Sequence, residues 1–178
     1  MQEKDLDAII DLNALGLTFR DKPLIVGGLA MEYYGLRPHG DDIDFIVSDR
    51  DYRTARAAYP EYRKDIWADF GISVKGFELF RSIYRLDYDH YCRGSIEFAR
   101  LRMVAIDTLF RMKVFALDAA EKHRADVELL KKYYQRFENP AYAAVLNAHV
   151  DRYLAVPGGL ILNGPYDDDL KTPPFALP

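Results

Sequence analysis

Asp42 and Asp44 stand one residue apart in Asp42-Ile43-Asp44-Phe45-Ile46-Val47. The β-branched and aromatic neighbours predict a strand, and side chains two positions apart on a strand leave the same face. Two carboxylates held together on a half-buried face repel each other, and a cation between them removes that penalty. The chemistry to expect is divalent-metal binding. A solvated strand edge or a turn is the plainer reading of such a pair, but the apolar flank argues against it. Asp41 belongs with the preceding turn. Upstream, the apolar run Pro23–Val26 ends in Gly27-Gly28. Glycines between a strand and a helix let backbone N–H groups approach an anion, and a phosphate is the anion expected beside a metal. A tight turn without a ligand is the alternative for a lone Gly-Gly.

A two-metal site needs a third carboxylate. The stretch Ile83–Tyr91 reads as a strand with Asp87 and Asp89 on one face, and nothing in it chooses between the two acids. An exposed strand face with alternating charges is the competing reading. Later in the chain, Lys113 sits at the centre of one helical pattern and Arg124 near the start of another. Both would meet phosphates if those helices pack beside the site, whereas a helix cation is ordinarily solvated.

The elements that must position these groups follow from periodicity. Leu6, Ile9, Ile10, Leu12 and Leu15 predict a helix over Lys4–Leu15, with Gly16 as its stop. Leu29–Gly35 predicts a short helix, and Arg37–Asp41 a turn-rich connection. Ser48 is a helix N-cap with Asp49 and Asp51 in the first turn, and that helix ends near Pro60. From Ile66 to Arg102 the pattern is mostly β, with a hairpin turn at Lys75-Gly76 between Ile72–Val74 and Phe77–Phe80. Helices resume at Ala105. One carries Ile106, Leu109, Phe110, Val114 and Leu117, the next Val127, Leu129, Leu130 and Tyr133, and a third spans Pro140–Leu154. The tail from Val156 is rich in Pro and Gly and cannot form regular helix, and its run Asp167–Asp169 reads as solvated. The expected organisation is one domain over 1–154, with a core at 20–103 and a helical part at 104–154. An extended tail follows at 155–178.

Bulk composition narrows the classes. The 178 residues are 49% hydrophobic and 29% charged with a net charge of −4, as in an ordinary globular chain without a general basic surface. A single cysteine, Cys92, excludes an internal disulfide and fits a reducing compartment. No apolar run approaches the roughly 18 residues of a membrane span, and the N-terminus lacks a signal-peptide pattern. A cytoplasmic location without membrane partners is the expectation. The 13 Tyr and 10 Phe could stack on a base or a drug without choosing between them.

The apolar strand, Gly27-Gly28 and then Asp42-Ile43-Asp44 together resemble the signature of the nucleotidyltransferase superfamily, which includes DNA polymerase β and the antibiotic adenylyltransferases. The text GGLAMEYYGLRPHGDDIDFIV is similar to small bacterial nucleotidyltransferases, among them lincosamide-type antibiotic transferases and AbiEii-type toxins of toxin–antitoxin systems. A second match is Asp107-Thr108-Leu109 with Lys113, then Lys122-His123-Arg124-Ala125-Asp126 with Leu129, which resembles patterns of the AbiEii-like branch. Asp87 sits where such proteins often carry a third acid. The chain departs from these relatives at His39-Gly40, where a threonine is common, at His123, in place of an acid, and in having Gly-Gly for Gly-Ser. Those departures bear on substrate choice more than on fold.

The resemblance implies an α/β (α+β) fold, a mixed sheet flanked by helices. It implies two Mg²⁺ ions held by Asp42, Asp44 and either Asp87 or Asp89, Asp87 being preferred. Gly27 and Gly28 would cradle an NTP, by default ATP, and Lys113 and Arg124 would neutralise its charge, with Asp126 orienting one of them. The implied reaction moves a nucleoside monophosphate to an acceptor and releases pyrophosphate. An antibiotic-like small molecule, a tRNA and a protein side chain all suit as acceptor. The alternative is a non-catalytic NTP- or partner-binding module, for example one half of a toxin–antitoxin pair with a cognate antitoxin. A plain α/β domain with a chance Asp-x-Asp is a third reading.

Overall fold

The computed structural model describes residues 2–66, 69–84, 86–116 and 121–136. Its N-terminal part holds α1 (Glu3–Ile9), a 3₁₀ turn (Leu12–Leu15), β1 (Leu24–Ile25), α2 (Gly27–Tyr33), β2 (Ile43–Ile46) and α3 (Asp49–Ala58). The middle is β: after a 3₁₀ turn at Pro60–Tyr62 come β3 (Arg63–Ile66), β4 (Asp69–Val74) and β5 (Phe77–Phe80). A small hairpin of β6 (Ser82–Ile83) and β7 (Leu86–Asp87) leads into α4 (Tyr88–Tyr91), β8 (Ile96–Glu97) and β9 (Arg102–Met103). Two helices, α5 (Ile106–Phe115) and α6 (Glu121–Arg136), complete the described chain.

Among the described residues, seven strands form one mixed sheet in the order β3-β4-β5-β2-β1-β9-β8, and β6 and β7 pair separately. The β2–β5 and β1–β9 pairs are parallel and the other neighbours antiparallel. Leu24, Ile25, Phe45, Ile46, Leu79 and Met103 of the central strands are buried, as are Tyr52 and Ala55 of α3, Leu109 and Phe110 of α5, and Leu130 and Tyr134 of α6. Helices thus cover a sheet whose centre is too apolar to face water.

Local chemistry explains the junctions. Ser48 caps α3 by accepting the Asp51 N–H, and buried Asp51 accepts the N–H groups of Arg20 and Asp21, each at 3.0 Å. That carboxylate ties the segment before β1 to α3. Lys75 and Gly76 join β4 to β5 with φ values of 54° and 80°, the all-positive geometry of a tight hairpin. Glu32 of α2 accepts the backbone N–H of His39 at 2.8 Å and also bonds the His39 ring, fixing the loop that delivers Asp42.

Two expected elements differ. The helix over Lys4–Leu15 is two pieces, because Ile10 is extended and Asp11 starts a separate 3₁₀ turn by accepting the Asn13 N–H; Gly16 does end it, in the left-handed region. The strand over Ile83–Tyr91 is broken into β6, β7 and α4. Tyr84 turns the chain at φ 51°, and the Asp87 carboxylate accepts the His90 N–H at 2.9 Å, which caps a helix instead of continuing a strand. The expected helix over Pro140–Leu154 and the tail from 155 lie outside the described residues. Among the described residues no helix is long and apolar enough to cross a membrane.

Candidate functional site

Parallel pairing of β2 with β5 sets Asp44 directly beside Glu78. Cross-strand partners project to the same face of a sheet, and like charges placed so are destabilising. Asp42, just before β2, joins them: one ligand oxygen from each of Asp42, Asp44 and Glu78 lies within 4.8 Å of the others. Burial pushes the Asp44 carboxyl up to about 6, and the charges of Asp42 and Glu78 add to the shift. Lys113 and a hydrogen bond from the Gly28 N–H oppose it. Three carboxylates at this separation form a hard-oxygen set of the kind that magnesium or manganese takes.

Gly27 exists to admit this cluster. Its φ is +60°, and a Cβ built there would stand 1.8 Å from an Asp44 carboxylate oxygen. A Cβ on Gly28 would make only ordinary contacts, the nearest at 3.5 Å. The pair therefore divides its roles: Gly27 gives the carboxylate room, and Gly28 gives it a hydrogen bond.

The acids open into a cleft of about 560 Å³, lined also by Gly27, Gly28, Arg37, Lys64 and Lys113. That volume suits a small-molecule ligand. Two of the cations share one anchor. Asp126, on α6 and 1% exposed, accepts Arg37 through both carboxylate oxygens at 2.6 and 3.0 Å and Lys113 at 2.8 Å. Burying one carboxylate between two cations keeps it ionised despite desolvation, and its pKa lies below the ordinary value on account of those hydrogen bonds and charges. Lys64, on the edge strand, pairs with Glu78. On α5, Leu109, Met112, Lys113 and Ala116 line the cleft at helical spacing.

Of the residues singled out from sequence, Asp42, Asp44, Gly27, Gly28 and Lys113 come together around this cleft. Asp87 and Asp89 do not join the acids. Among the described residues the one group able to supply three ligands is Asp42, Asp44 and Glu78, and Asp87 is engaged as the α4 cap. The acid that the structure sets beside Asp42 and Asp44 is therefore Glu78 of β5, and not one of the Ile83–Tyr91 stretch. Arg124 is exposed and outside the cleft lining, whereas its neighbours Lys122 and His123 are within it. Sequence reasoning missed Glu78 and Arg37. Glu78 carried a signal, a lone acid inside Phe77-Glu78-Leu79-Phe80, the same acid-among-apolars pattern that marked Asp44. Arg37 carried none, since its role depends on Asp126 far along the chain. Compared with known proteins, the chain matches no family model and no curated sequence.

Two outcomes follow. Gly27→Ala should lose at least about 1 kcal/mol from the left-handed backbone alone, and should weaken Mn²⁺ binding by displacing Asp44, while Gly28→Ala binds Mn²⁺ like wild type. Thermal denaturation with and without Mn²⁺ separates them. The Asp44 pKa lies above its unfolded value, so its contribution favours folding at low pH and is lost as pH rises from about 4 to about 6. Without divalent cation, Asp44→Asn should therefore gain unfolding free energy relative to wild type as pH rises across that window; urea titrations of both proteins at stepped pH check this.

Proposed function

We propose that the protein is a metal-dependent nucleotidyltransferase with a nucleotidyltransferase-type fold. It transfers a nucleoside monophosphate from an NTP to an acceptor and releases pyrophosphate. The observation that carries this reading is the trio Asp42, Asp44 and Glu78, with ligand oxygens within 4.8 Å, at the edge of a cleft that also presents cations.

The donor set fits Mg²⁺. Its atoms are all carboxylate oxygens, and the electrostatic penalty already visible at Asp44 is the one a divalent ion would relieve. Asp42 and Asp44 would hold metal on the triphosphate side, and Glu78 would complete the set. Bound there, Mg²⁺ supplies Lewis-acid stabilisation of phosphoryl oxygens and a lowered pKa for the acceptor hydroxyl.

The chain's own groups do the rest. Lys113 and Arg37, both fixed by Asp126, are held ready for negative charge, so little reorganisation is needed when a triphosphate enters. Gly27 and Gly28 keep the floor of the cleft free of side chains and orient Asp44. Arg37, Lys64, Lys113 and Lys122 line the cleft, the first three already paired with Asp126 or Glu78, so a polyanionic substrate would enter as its metal complex. All three acids are present, which favours catalysis over a purely binding module of the same architecture. The acceptor class stays open among small molecule, RNA and protein.

The test is metal-dependent transfer from an α-labelled NTP, scored on extract-derived acceptors. Removing one metal ligand forfeits several kcal/mol of transition-state stabilisation, so Glu78→Gln should lower the rate on the order of 10²–10³-fold. Asp87→Asn, which keeps the helix cap, should stay near wild type. Equal activity in Glu78→Gln and wild type would overturn the assignment of the third ligand. Unchanged transfer in the Asp42→Asn/Asp44→Asn double variant would overturn the function.

A further inference from the structure

Acids, glycines and cations account for one part of the cleft, and the remainder is apolar. Phe80, Ile83 and Tyr84 line it on the sheet side, and Leu109, Met112 and Ala116 on the α5 side. Phe80 lies two positions beyond Glu78 on β5, so both side chains leave the same face and the apolar wall begins where the carboxylates end. On α5 the charged Lys113 sits between Met112 and Ala116 on the same cleft-lining surface. A polyanion site and an apolar slot are therefore continuous.

Tyr84 is the unexpected member of that wall. It opens the tight connection between β6 and β7, where Ser82 pairs with Asp87 and Ile83 with Leu86, and its φ is 51°. Positive-φ hairpin positions favour Asn, Asp and Gly, and an aromatic side chain is disfavoured there. Its half-buried ring lies 5.8 Å from the Phe115 ring in a tilted arrangement, at the cleft lining. A residue held against its backbone preference at a ligand cleft is characteristic of residues retained for contact with the ligand. His123 also lines the cleft.

We infer that this wall is the nucleobase subsite: Tyr84 stacks on the base of the NTP whose phosphates lie at the Asp42–Asp44–Glu78 end. This rests on the NTP reading of the preceding subsection. The chemistry matches, because a base needs a flat aromatic partner, apolar walls and few polar contacts. Stacking on tyrosine is tolerant of base identity, so Tyr84 supplies affinity without selecting the base.

Calorimetric titration of the full chain in Mg²⁺ with ATP and with inorganic tripolyphosphate separates the two claims. Wild type should bind both, ATP more tightly. Tyr84→Asn replaces the ring with a residue that suits the turn. It should weaken ATP on the order of tenfold, leave tripolyphosphate unchanged, and keep or raise Tm. Tyr84→Phe, which keeps the ring, should bind ATP like wild type. If tripolyphosphate binds but ATP binds no tighter, or if Tyr84→Asn binds both like wild type, the base subsite is wrong while the phosphate and metal site stands. Equal weakening of both ligands in Tyr84→Asn also overturns the subsite. If neither ligand binds wild type, the NTP reading falls and the subsite with it.

Discussion

Carboxylate repulsion is the constraint around which this structure is built. Asp44 and Glu78 occupy opposed positions on adjacent parallel strands, and Asp42 adds a third negative charge within reach of both. A sheet has no structural need for that arrangement, and an apolar residue at either strand position would be more stable without a ligand. The surroundings soften the penalty without removing it. Burial and the neighbouring acids raise the Asp44 pKa, Lys113 and the Gly28 N–H lower it, and the balance leaves it at about 6. Lys64 pairs with Glu78 as well, so the chain compensates part of this charge itself, and a divalent cation at the three acids would relieve the remainder.

The rest of the fold can be read as support for that cluster. Gly27 takes a left-handed backbone so that no Cβ intrudes on Asp44. Glu32 holds the His39 backbone and with it the loop leading to Asp42. Farther out, Asp126 brings α6 into the site by anchoring Lys113 of α5 and Arg37 of that same loop. Asp126 and Lys113 are buried and Arg37 half-buried, so removing one partner leaves a buried charge uncompensated and the clamp is a rigid element of the site. One carboxylate thereby joins the two helices after the sheet to the loop before β2.

Much of this was legible in the sequence where the signal is local. The Asp42–Asp44 spacing, the Gly27-Gly28 junction, the Ser48 cap and the Lys75-Gly76 hairpin each depend on residues within one or two turns of chain, and the structure has all four elements. What was not legible depended on pairing. Glu78 stands out locally as a lone acid among apolar residues, but only the β2–β5 register sets it beside Asp44, and no periodicity announces that. Asp87 misled because alternation over Ile83–Tyr91 imitates a strand, while a capped helix starting at Tyr88 uses the same residues. Arg37 and Asp126 are separated by most of the domain, so their ion pair could not be read from either neighbourhood. Tyr84 carried the opposite of a signal: an aromatic residue argues for strand continuation, and the chain turns there instead.

The central claim, that Asp42, Asp44 and Glu78 form a metal centre, is tested most directly by crystals of the protein soaked with Mn²⁺ and a non-hydrolysable NTP, with anomalous difference maps at the manganese edge. The account predicts anomalous peaks between these three carboxylates, with the triphosphate against Lys113 and Arg37. Manganese at Asp87 or Asp89 instead, or no manganese at the three acids, would contradict it.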